Sequence, residues 1–75
     1  MHDIELQLRE ALDAARLNLV KVLEAERKVD SNLLSESRNG IEFVRKIQGL
    51  KHLKEQRLLD AHEEARFVRL LQAHP

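Results

Sequence analysis

"DSNLLSESRNG", residues 30–40, decides the fold. Asp30, Ser31, Asn32, Ser35, Ser37, Asn39 and Gly40 favour caps and turns over helix interiors, because their side chains or backbone freedom offer alternatives to the helical hydrogen-bond ladder. On either side of this stretch the apolar spacing is helical, and the one proline, Pro75, is the last residue. The chain is therefore expected to reverse once, inside this stretch. Asp30, Ser31, Ser35 and Ser37 are each suited to cap a second helix, so the turn is placed at about residues 31–37 and no more finely. Leu33 and Leu34 are expected to plug the end of the resulting bundle.

Upstream, a helix is expected over about residues 3–30. Leu8, Leu12, Ala15, Leu19, Val22 and Val29 follow alternating steps of four and three, with Glu26 as the one polar member. That is a heptad seam, the spacing that packs one helix against another. Ile4, Ala11, Ala25 and Leu23 widen it, while Leu6, Leu17 and Val20 point elsewhere. Asp3 and Glu5 suit the positive end of the helix dipole.

Downstream, a second helix is expected over about residues 37–73. Phe43, Ile47 and Leu50 form a stripe that Ala61, Ala65 and Val68 continue. Lys54 and Arg57 interrupt it, and Leu58 and Leu59 resume it slightly displaced. Gly49 lies within this run, where it weakens a helix by roughly 1 kcal/mol relative to alanine. It either ends a helix at Gln48 or sits within a continuous one and admits a neighbouring helix closely. Helical spacing persists through "IQGLKHLKEQRLL", residues 47–59, which favours the continuous helix, with Gly49 expected across from Leu19 and Val22.

Two long helices joined by a short turn make an all-α antiparallel hairpin, a single domain spanning residues 1–75. A chain of 75 residues is marginal alone, and with no cysteine it has no disulfide to stabilise it. Leu6, Leu17, Val20, Leu23, Phe67, Leu70 and Leu71 fall outside the main stripes. Pairing of two hairpins into a four-helix bundle, or docking on a larger assembly, is expected to cover them. The expected packing interface is Leu8, Leu12, Ala15, Leu19, Val22, Phe43, Ile47, Gly49, Leu50, Ala61, Ala65 and Val68.

Thirteen basic and thirteen acidic side chains give zero net charge, but their distribution is uneven. Residues 1–37 carry a net −3, residues 38–57 a net +4 and residues 58–75 a net −1. Complementary pairing across the hairpin, with Lys54 and Arg57 meeting Glu10 and Asp13, is the expected use of this bias. No apolar run reaches 18 residues, and "MHDIELQLRE" at residues 1–10 lacks the order of a signal peptide. A cytoplasmic location is expected, with no membrane role, since acidic residues are interspersed on the helix faces and tryptophan anchors are missing.

The string "EFVRKIQGLKHL", residues 42–53, resembles a motif on the second helix of short two-helix proteins of tailed bacteriophages, in which an aromatic residue precedes a basic-Ile-x-Gly-Leu sequence. Phe43, Lys46, Ile47, Gly49 and Leu50 match it, over about a dozen of the 75 residues. The resemblance implies a phage origin, located in the host cytoplasm or the virion. It also implies a role as a structural or assembly accessory, or as a small binder of a host factor.

Residues that carry chemistry are sparse. His52, Glu55, His62 and Glu63 lie near one helix face, but the Glu-x-x-His pairs of helical metal sites do not occur. Ser31, Ser35 and Ser37 read as caps rather than nucleophiles, for want of a base and an oxyanion hole. No catalytic, metal or cofactor site is expected. An alternative is a nucleic-acid-binding dimer, in which Lys46, Lys51, Lys54 and Arg57 occupy an arc of about 140° on the second helix and track phosphates. Zero net charge and the lack of tryptophan and tyrosine for stacking weigh against it. The expected function is a non-enzymatic interaction module that pairs with its own copy, with a larger protein, or with both.

Overall fold

A computed structural model of the chain describes residues 3–35 and 40–74, with all their side chains except those of Leu34 and Ser35. Helix α1 runs Ile4–Ser35 and helix α2 runs Ile41–Ala73. They lie side by side and antiparallel as a rod of 58 × 15 × 14 Å. The expected all-α hairpin is the fold observed.

Local chemistry sets the ends of the helices. The Leu6 backbone N–H donates to Asp3 Oδ1 at 3.0 Å, an N-cap that satisfies one of the orphan donors in the first turn of α1. Arg9 Nη2 donates to Glu5 Oε1 at 2.8 Å, one helical turn apart. At the other end of the hairpin, Gly40 precedes α2 with φ 117° and ψ 170°, a backbone region that is essentially glycine's alone. Its carbonyl accepts the first helical N–H, from Val44 at 3.2 Å, and among the described residues no side-chain hydrogen bond caps α2. α2 closes where the His74 N–H reaches the Leu70 and Leu71 carbonyls and the backbone turns extended.

The first helix is longer than its sequence suggests. Asp30, Ser31 and Asn32 do not end it; they are exposed residues inside it. The reason is tertiary. Val29 and Leu33 continue the four-three spacing and are half-buried on the hairpin's inner side. Covering that leucine outweighs the few tenths of a kcal/mol by which each polar residue disfavours helix. The proposed cap Ser37 and the proposed plug by the Leu34 side chain lie outside the described residues.

α2 is continuous through Gly49. The close approach expected there is absent among the described residues, where a Cβ built on Gly49 would meet nothing within 4 Å. Gly49 is also not opposite Leu19 and Val22. Glu26 faces Arg57, so in antiparallel register Gly49 falls beside the end of α1 near Leu33. The later reversal of the chain causes this shift.

The core is thin. Among the described residues the buried apolar side chains are Leu12, Ala15 and Val22, all on α1, and α2 buries none of its residues fully.

Candidate functional site

In a protein with so little interior, the helix faces are the candidate site. α1 presents the seam its sequence predicts. Leu12, Ala15 and Val22 are buried and Leu8, Leu19 and Val29 are half-buried, with Glu26 in line with them. A stripe of this kind turns one face of α1 to a single neighbour.

α2 meets it with a different face from the one its apolar residues mark. Phe43, Leu50, Leu53, Phe67 and Leu71 are half-buried at heptad spacing, and Lys46, Arg57, Asp60 and Glu64 fill the remaining positions of the same seam. The structure therefore retains Phe43 and Leu50 from the predicted interface and adds Leu53, Phe67 and Leu71. Ile47, at 45% exposure, and Ala61 are turned to solvent, and Ala65 and Val68 are only half-covered at the flank. Gly49 is half-buried, and among the described residues nothing lies within 4 Å of a Cβ added to it.

An ion pair accounts for this rotation. Glu26 is 7% exposed on the α1 seam, and a lone carboxylate in that position would lose much of its hydration. Arg57 Nε lies 2.9 Å from Glu26 Oε2. Both polar interruptions therefore belong in the seam, each as the other's partner. The contact is one of charge rather than a well-aligned hydrogen bond, since the shielded Oε2 accepts no hydrogen bond among the described residues. A second cross-hairpin pair, Arg16 Nε to Glu64 Oε1 at 3.4 Å, lies toward the open end and is more exposed. These pairs replace the expected contacts of Lys54 and Arg57 with Glu10 and Asp13, which assumed an earlier turn. The turn beyond Ser35 brings Arg57 to a residue of α1 much nearer the tip.

The face displaced from the seam remains largely uncovered. Ile47, Leu58, Ala61, Ala65 and Val68 lie along one flank of α2, with Lys51 and Lys54 among them. Leu58 is 65% exposed, and a shallow groove runs between Ile47, Leu50 and Leu58 with Lys51, Lys54 and Glu55 at its edges. The stripe that the sequence marks as apolar is thus real, and within the single chain it is covered only in part, with Ile47, Leu58 and Ala61 left exposed.

The basic arc of the alternative reading is divided between two environments. Lys46 and Arg57 are half-buried on the seam, Arg57 against Glu26, while Lys51 and Lys54 are exposed beside the groove. His52 Nδ1 lies 3.8 Å from Glu55 Oε2, and among the described residues no group of three or more His, Asp or Glu side chains is arranged to hold a metal ion. No described helix is long and apolar enough to cross a membrane.

Compared with known proteins, the chain matches no family model, no curated protein and no solved structure.

Proposed function

We propose that the chain is a non-enzymatic helical interaction module whose function is to pack the outer flank of α2 against another protein. One observation carries this reading. The chain exposes 6113 Å², whereas a self-sufficient folded protein of 8.7 kDa exposes about 4,700 Å² by the usual scaling of surface with mass. The excess of about 1,400 Å² exceeds the roughly 800 Å² that each partner contributes to a standard protein interface. Apolar side chains on the outer flank of α2, Leu58 and Ile47 among them, add to stability only when something covers them.

The Glu26–Arg57 contact gives the module its specificity. A purely apolar seam would let α2 rotate or slide, whereas a charge pair inside it favours one register and so presents one flank outward. The phage-like string from Phe43 to Leu50 supports placing the module among virion or assembly accessories, or among binders of a host factor. Its Ile47 and Leu50 line the uncovered groove.

The test is the unfolding free energy of the dilute chain in urea. A module that needs a partner should give less than about 3–5 kcal/mol, the most a core of this size supplies. A markedly higher value at high dilution would identify a domain complete in itself and would remove the reading.

A further inference from the structure

We infer that the partner on the α2 flank is a second copy of the same chain, laid antiparallel about a two-fold axis beside Leu58. This rests on the interaction-module reading and deepens it by naming what covers the face.

Spacing along the flank is the first support. Ile47, Lys51, Lys54, Leu58, Ala61, Ala65 and Val68 follow steps of four and three without a break, a second heptad seam on a helix that already uses one. The seam is also self-complementary when reversed about Leu58. Ile47 of one protomer then faces Val68 of its partner, and Lys51 and Lys54 face Ala65 and Ala61. Leu58 faces its own copy. Each long lysine lies across from an alanine, which leaves room for its aliphatic stem while the ammonium reaches solvent. A two-fold interface requires this matching of a surface with its own reverse.

Charge along the rod is a second and independent support. The open half of the hairpin, residues 3–20 and 58–74, holds seven acidic and four basic side chains, a net −3. The half at the turn, residues 21–35 and 41–57, holds eight basic and five acidic side chains, a net +3. Antiparallel pairing about Leu58 lays the positive half of each copy along the negative half of the other. Parallel pairing would lay like on like, which costs free energy and excludes the wrong arrangement. Leu6, Leu17 and Val20 on the back of α1 are also exposed, but Glu10, Asp13 and Glu24 hold the heptad positions between and after them, so a copy laid on that face would bring acidic side chains to acidic ones.

The chain has no cysteine, so single cysteines report the arrangement directly. The unmodified chain at about 100 μM should have twice the 8.7 kDa mass by light scattering. Raising salt from about 50 to about 500 mM should weaken the dimer several-fold. Under oxidation Leu58→Cys should cross-link to itself, and Ile47→Cys and Val68→Cys should cross-link only when mixed. Val20→Cys should not cross-link. Leu58→Glu should weaken the dimer by about a hundredfold. Self-linking of Ile47→Cys, or efficient linking through Val20→Cys, would overturn the antiparallel α2 pairing. A monomer that is only marginally folded would overturn self-pairing and leave the flank to a different protein. A monomer that is stably folded would overturn both readings.

Discussion

Arg57 Nε stands 2.9 Å from Glu26 Oε2, the one polar residue in the otherwise apolar seam of α1 meeting one of the four charged residues in the seam of α2. The pair sits in the seam at unequal depth. The Glu26 side chain is nearly covered, while that of Arg57 remains 38% exposed. Removing the arginine therefore leaves a shielded carboxylate without its cation. Arg57→Met should cost about 2 kcal/mol in urea unfolding, below the 3–5 kcal/mol of a fully buried pair because solvent screens part of the contact. The double replacement Glu26→Leu with Arg57→Leu should restore or exceed the original stability. Loss of a single register, read as broadened amide resonances, should accompany that gain.

The two glycines should respond in opposite directions. Gly40 holds φ 117° at the start of α2, so Gly40→Ala should destabilise by about 1–3 kcal/mol. Gly49 is helical with nothing within 4 Å of an added Cβ, so Gly49→Ala should stabilise by about 0.5–1 kcal/mol. Thermal melts of the two variants beside the parent check both signs. A destabilising Gly49→Ala would mean that another helix approaches α2 there.

Burial predicts a similar contrast on α1. Leu12 is buried in the seam and Leu17, at 53% exposure, is on the outer side. Leu12→Ala should cost about 2–3 kcal/mol, at the low end for a leucine because the seam adjoins solvent and relaxes easily. Leu17→Ala should change stability by less than about 0.5 kcal/mol. Equal effects would place α1 in a different rotation.

Asp3→Ala should fray the first turn of α1 for a loss of about 1 kcal/mol, because it removes the acceptor of the Leu6 N–H. Faster hydrogen exchange confined to the first few amides of α1 is the expected reading.

The two helices differ in how far their packing was legible. On α1 the seam residues from Leu8 to Val29 are apolar except Glu26, so periodicity alone identifies the face that meets α2. On α2 four of the nine seam positions are charged, against two of the seven on the flank carrying Ile47, Leu58, Ala61, Ala65 and Val68. Periodicity selects the stripe with fewer charged interruptions, and nothing in α2 alone shows that Arg57 is required inside. That requirement comes from Glu26 on the other helix. Asp30, Ser31 and Asn32 mislead for a related reason. Local preference favours a cap there, and the half-buried Leu33 beyond them keeps the helix going. The two-helix topology was legible because the chain has a single cluster of turn residues and no internal proline.

The most direct test of the account is the thermal midpoint of the chain, followed by circular dichroism over a hundredfold range of concentration. A hairpin completed by a second copy melts at a temperature that rises steadily with concentration, because the folded state is the associated one. A midpoint that stays fixed across the range, with full helix content in the most dilute sample, would contradict it.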